Sequence, residues 1–206
     1  ISVPTVTVFL VIVASLEVHA RAHGAKGLFG WIVMLPWRNP AMSAIGFAVV
    51  NLALGGALSF VLIQEKLAGL LSDTFFVPGY FHFLTVGTVT LTFLAALLYV
   101  LPSLTGRPLW RPDVLRWLPH LATAGLALFG GAGIAAGYLG VPRRALDVAY
   151  DGTAPGAWAA LMSVVGAGGA LMTAALLVYL FALLRNLMPV GAAAPAAVGV
   201  LPEVRW

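Results

Sequence analysis

The chain has no cysteine. That excludes a disulfide framework, a thiolate nucleophile and any iron–sulfur cluster held by this chain. Charge is scarce as well: Asp, Glu, Lys and Arg make up 9% of the 206 residues, against 61% hydrophobic, with a mean hydropathy of +1.01. Soluble domains carry about 25% charged residues, so water is not the main solvent for this chain. Eleven basic and seven acidic residues leave a net charge of only +4. This thin excess lacks the basic footprint of a nucleic-acid binder. Also missing are an initiator Met and a basic leader ahead of the first apolar run, which begins at Ile1. The expectation is a processed product or a piece of a longer chain.

What the sequence does have is long apolar runs. A helix needs about 20 apolar residues to cross the roughly 30 Å of hydrocarbon in a bilayer. Five stretches free of Asp, Glu, Lys and Arg approach or exceed that length, at residues 1–16, 42–63, 80–101, 118–139 and 157–184. All are too long for buried strands, and the alternation of a membrane barrel is absent. The expected fold is therefore all-α, a polytopic transmembrane bundle of about five spans. Glycine is abundant, with 23 residues in runs such as Gly55-Gly56, Gly130-Gly131 and Gly166-Ala167-Gly168-Gly169. Small residues let membrane helices approach closely, so these runs are read as packing surfaces.

Orientation follows from the loops, because basic loop residues are retained on the cytoplasmic side. Arg21, Lys26, Arg38, Arg107, Arg111, Arg116, Arg185 and Arg205 fall on one side, and Lys66, Arg143 and Arg144 on the other. That division places the N-terminus outside and the C-terminus in the cytoplasm. Trp31, Trp37, Trp110, Trp117 and Trp158 stand at the predicted boundaries and suit an interfacial belt. Residues 17–40 read as an interfacial segment ending at Pro36, and the expected organisation is one membrane domain over 1–185 with a tail at 186–206.

Four histidines carry most of the candidate chemistry. His82 opens the third span on the outer side, His120 lies at the inner end of the fourth, and His19 and His23 occupy an inner loop. The last two are four residues apart and would share a helix face as a pair of metal ligands can, but Arg21 and Lys26 flank them and no third ligand is evident. A ligating group inside the membrane is a functional candidate because an unpaired polar group there is costly. For His82, a cofactor ligand and a satisfied packing residue both stand. Tyr80, two residues earlier, points about 200° away on a helix and so faces the other side. Arg143 and Arg144 lie on the side where few basic residues are expected. Either an adjacent anion is held there, as guanidinium suits bidentate carboxylate binding, or Asp147 and Asp151 act as local counter-ions in a solvated loop.

Several segments, in order, carry a resemblance: Ala14-Ser15-Leu16-Glu17, Gly27-Leu28-Phe29-Gly30-Trp31, Leu35-Pro36-Trp37, Val77-Pro78-Gly79-Tyr80-Phe81-His82, Leu101-Pro102-Ser103-Leu104-Thr105-Gly106 and Val141-Pro142-Arg143-Arg144-Ala145. With them the chain resembles subunit I of the B-type heme-copper oxygen reductases, from about Val3 to Leu184. It looks like the C-terminal part of that subunit, beginning at its eighth helix. In that family the tenth helix opens with His, any residue, His. The first binds the high-spin haem of the oxygen site and the second binds the low-spin haem.

The resemblance implies that His82 is an axial iron ligand of a low-spin, b-type haem and that Arg143 and Arg144 hold its propionates. Tyr80 stands where the first histidine would, which implies an altered or absent high-spin haem. Thr5 keeps one of the hydroxyls that draw protons along the eighth helix, whereas Val8 stands where another is expected. Leu70-Leu71-Ser72-Asp73 lacks the histidine that relatives place before the Val-Pro-Gly turn, leaving Asp73 near the propionates. Copper ligands belong to earlier helices, so copper is not expected from this chain alone. The implied partners are membrane lipid, other oxidase-like subunits that supply the missing helices and a second axial ligand, and a cytochrome c-type donor, with no nucleic acid. The implied location is the inner (plasma) membrane. The expected function is a haem-binding, electron-carrying part of an oxidase-like complex. The alternative is a non-catalytic scaffold descended from an oxidase core; a transporter segment is weaker, because no paired charges lie within the spans.

Overall fold

The structure is a computed structural model that describes residues 2–144 and 154–188. In chain order the helices are α1 (Ser2–Ala22), α2 (Gly30–Met34), α3 (Pro40–Ser59) with a 3-10 extension (Phe60–Ile63), α4 (Glu65–Leu71), α5 (Phe76–His82), a π-helical stretch (Phe83–Thr90), α6 (Leu91–Thr105), α7 (Pro112–Leu115), α8 (Leu118–Tyr138) and α9 (Gly156–Leu187). The only pairing of strand type among the described residues is an isolated antiparallel bridge between Thr74 and Pro142. Five helices or helix runs are long and apolar enough to cross a membrane: Val3–Ala22, Pro40–Ile63, Phe76–Thr105, Pro112–Tyr138 and Gly156–Leu187. The all-α, five-span expectation holds.

The ends of the spans differ from the expectation for local reasons. α1 runs through Ala22, past the predicted stop at residue 16, so the segment at 17–40 is helical at its start. Glu17 and Arg21, one turn apart, meet at 2.6 Å and neutralise each other on the helix surface. Asn39 sets the start of α3, its Oδ1 accepting from the amides of Ala41 and Met42 while Pro40 occupies the first turn. The third span begins at Phe76, four residues earlier than expected. Pro78 in its first turn removes no intrahelical donor, because the first amides of a helix have no partner. Gly106 takes up the left-handed conformation, φ 63°, that ends α6. α9 extends to Leu187, beyond the predicted boundary at 185, and the tail from residue 189 lies outside the described residues.

α8 packs most extensively against α9 and α5, and its glycines explain why. A Cβ on Gly125 would lie 2.6 Å from the amide nitrogen of Met172 in α9, and one on Gly79 of α5 would lie 2.9 Å from that of Ile134 in α8. Backbone thus meets backbone on two flanks of α8, as the glycine content suggested. Gly131, by contrast, faces open space. Apolar clusters fill the remaining gaps. Phe83, Leu126 and Met172 join the π-helical stretch to α8 and α9; Ala48, Leu91, Ala122 and Ala175 lie at another level. Leu98, Leu101, Leu115, Leu118, Tyr179, Ala182 and Leu183 close the opposite end. α1 stands apart, with 6% of its apolar window buried against 22–39% in the other four spans.

Candidate functional site

The site is built from two loops and the helix between them. Phe75 N donates to Val141 O at 2.7 Å, and Arg143 N donates to Asp73 O at 3.1 Å. These bonds tie the turn that opens α5 to the turn that follows α8, and so bring Arg143 and Arg144 to the same end of the bundle as His82. Arg143 is partly buried, and its Nη2 lies 3.0 Å from Asp73 Oδ1, while its buried Nε has no hydrogen-bond partner among the described residues. Arg144 is exposed. Asp147 and Asp151, the alternative counter-ions, lie outside the described residues; among the described ones, Asp73 fills that role for Arg143.

His82 ends α5, and its Nδ1 lies 2.7 Å from Pro78 O one turn back. A carbonyl oxygen only accepts, so Nδ1 carries the proton and Nε2 presents its lone pair. Fixing one ring nitrogen on a backbone carbonyl is the usual way a protein sets the tautomer of a metal-ligating histidine. The ring is steadied by Phe129 of α8, centroid to centroid 4.3 Å. That contact also fixes the depth of His82, which is greater than an opening-turn position suggests. His120 precedes Phe129 by nine residues on α8, a rise of about 14 Å. His120 is therefore too far to share an ion whose bonds to nitrogen run about 2 Å.

Tyr80 and His82 do face different neighbours. The Tyr80 ring meets Phe76 at 5.8 Å and Phe81 at 6.4 Å, and its hydroxyl makes no hydrogen bond among the described residues. His19 and His23 do share a face, with ring centroids 4.4 Å apart, and His23 Nδ1 donates to His19 O at 2.8 Å. Among the described residues no group of three or more His, Asp or Glu side chains gathers as a metal site. Thr5 and Val8 both lie on α1, where Val8 is exposed.

Two features were not read from the sequence. Immediately after His82 the helix widens into eight residues of π-helix, Phe83–Thr90. Its hydroxyls add bonds at the same spacing of five: Thr88 Oγ1 donates to Phe83 O at 3.1 Å and Thr90 Oγ1 to Thr85 O at 3.2 Å. Such widened turns are frequent at functional sites, because they re-aim side chains. The second feature is Asn51, wholly buried in α3, whose Nδ2 donates to Phe47 O and to Thr123 Oγ1 while its Oδ1 has no partner. The signals were present in the threonine run around Gly87 and in a lone amide within an otherwise apolar span.

The fold defines a class first: a multi-pass α-helical membrane protein. The sequence profile described as "Cytochrome C and Quinol oxidase polypeptide I" matches residues 1–184, and the chain belongs to that family. Cytochrome c oxidase subunit 1 of Thermus thermophilus is 38% identical over 193 residues, covering 91% of this chain and 34% of that protein. Cytochrome c oxidase polypeptide 1 of Halobacterium salinarum is 31% identical over 126 residues, or 58% of this chain and 21% of its own length. A solved structure titled as a heme-copper terminal oxidase dimer superposes with a TM-score of 0.79 at 22% identity, over 90% of this chain and 34% of that one, which supports the fold. The chain thus spans about a third of the length of its first relative (34%).

Proposed function

We propose that this chain is the haem-binding, electron-carrying C-terminal part of a B-type heme-copper oxidase-like subunit I. The observation that carries the reading is the hydrogen bond from His82 Nδ1 to Pro78 O, which leaves Nε2 as the free ligating atom. The residues fit a haem in two further respects. Among the described residues the buried Nε of Arg143 has no partner, and a propionate carboxylate would satisfy it. Phe129 lies against the imidazole and keeps water from that flank. His82 would hold the iron, Arg143 and Arg144 would neutralise the propionates, and the π-helical stretch would set the pitch at which His82 is presented. When bound, the haem supplies one-electron redox chemistry.

Tyr80 does not reproduce a neutral imidazole, so the high-spin site is altered or absent in this chain. A second protein ligand for the iron would come from the helices that the relatives carry beyond this chain's length, as would any copper ligands and the dock for a cytochrome c-type donor. The low-spin haem is b-type, and the chain lies in the plasma membrane with its N-terminus outside and its C-terminus in the cytoplasm. The test is the reduced-minus-oxidised spectrum of the purified complex with His82→Ala. Loss of the low-spin b-type signal is expected, and its full retention overturns the assignment.

A scaffold role without haem is favoured by one observation, the Asp73 carboxylate already paired with Arg143 at 3.0 Å. Haem quantified per chain separates the two: about one equivalent supports the electron carrier, and none supports the scaffold.

A further inference from the structure

A different pocket lies at the other end of the bundle, between the starts of α3 and α8. Trp37, Arg38, Arg116, Trp117 and His120 enclose about 290 Å³. No carboxylate lines it, and neither arginine forms an ion pair among the described residues. Two guanidinium groups, that of Arg116 partly buried and that of Arg38 exposed, therefore flank one cavity that no carboxylate lines, an arrangement that favours an anion.

The walls are set before any ligand arrives. His120 Nδ1 donates to Arg116 O at 3.0 Å, and the buried Ser43 hydroxyl donates to the same oxygen at 3.2 Å. The His120 ring stands edge-on to Phe47 at 4.6 Å. Arg116 Cζ lies 5.7 Å from the Trp117 ring centroid, a cation–π distance, and its Nε is buried with no hydrogen-bond partner. A backbone pinned at two points and a guanidinium held over an indole leave Nε as a donor in want of an oxygen.

We propose that this pocket binds the phosphate of an anionic phospholipid headgroup. Guanidinium matches phosphate in a two-pronged geometry, and basic pockets between membrane helices commonly take acidic lipid headgroups. The lipid source, rather than free phosphate, follows from position. Arg38 and Trp37 stand just before Pro40 opens α3, and Arg116 and Trp117 just before Leu118 opens α8, the level at which headgroups lie. The volume sits at the lower edge of the roughly 300–1,000 Å³ of pockets that bury a whole small ligand, which suits a headgroup without its chains. Below Trp117 on the same face of α8, Leu121 and Leu128 are 45% and 46% exposed and offer an apolar track for an acyl chain.

The test is native mass spectrometry of the purified chain, or of its complex, in mixed micelles carrying phosphatidylglycerol or phosphatidylcholine, with a separate arm in millimolar inorganic phosphate. The chain is expected to retain one phosphatidylglycerol in preference to phosphatidylcholine. Arg38→Gln with Arg116→Gln should weaken that retention by about tenfold, the scale of one charge-assisted contact. Lys66→Gln, at the opposite end, should leave it unchanged. Should the double variant not fold by circular dichroism, Arg38→Gln alone carries the test, because that side chain is exposed and makes no internal bond. Equal retention in wild type and variant, or of the two lipids, overturns the proposal. So does arginine-dependent binding of inorganic phosphate that displaces the phosphatidylglycerol.

Discussion

Replacing Gly79 by alanine probes the closest approach in the fold. The added methyl would sit 2.9 Å from the amide nitrogen of Ile134, and 3.1 Å from both Gly130 O and the carbonyl carbon of Gly133. Ordinary contact begins at 3.4 Å, so α5 and α8 must separate by about half an ångström at this point. All three obstacles are backbone, and no side-chain rotation relieves them. Overpacking of this kind costs about 1–3 kcal/mol. Gly131→Ala, on the partner helix α8, is the control, since a methyl there meets nothing within 4 Å. It should be neutral, or stabilising by up to about 1 kcal/mol from helix propensity. The assay is unfolding in mixed micelles with increasing sodium dodecyl sulfate, followed by far-ultraviolet circular dichroism. Gly79→Ala should unfold at clearly lower detergent fraction than wild type and Gly131→Ala should not. If both variants unfold together, backbone contact between α5 and α8 is not what holds His82 against Phe129.

The remaining predictions concern the same end of the bundle. Asp73→Asn should change stability by less than about 1 kcal/mol, because the carboxylate of the pair with Arg143 is 91% exposed and screened by solvent. A loss several times larger would show that the charge pair, and not the backbone bonds beside it, clasps the two loops. Thr88→Val with Thr90→Val should leave Phe83 O and Thr85 O without their hydroxyl donors and speed amide hydrogen exchange across Phe83–Thr90. Unchanged exchange would mean that the wide turn is held without them.

How much of this was legible in the sequence depended on the length scale of the signal. Five spans could be read because a bilayer demands about 20 apolar residues in a row, and few other constraints produce that pattern. That His82 and the arginine loop lie at the same end of the bundle was also legible, since counting spans fixes which end each residue occupies. Boundaries failed where a local pair or cap overrode hydropathy: Glu17 with Arg21 prolonged α1, and Asn39 fixed the start of α3. The π-helical stretch was hidden because apolar composition is the same for any helix pitch, while the shift in spacing shows only in which carbonyl each threonine reaches. The partnership of Arg143 with Asp73 joins residues 70 positions apart and could not be read from local pattern.

α1 is gripped at one end. Ala20, Ala25 and Leu35 form a small buried knot with Leu16, Trp31, Trp37 and Met42 around it, while the rest of the helix stays almost bare. Like a mast stepped only at its foot, it can lean as a rigid rod about that knot. Whatever molecule lies along its upper length, lipid or helix, sets its tilt, and the lean is transmitted first to Trp37 and from there to the loop that opens α3.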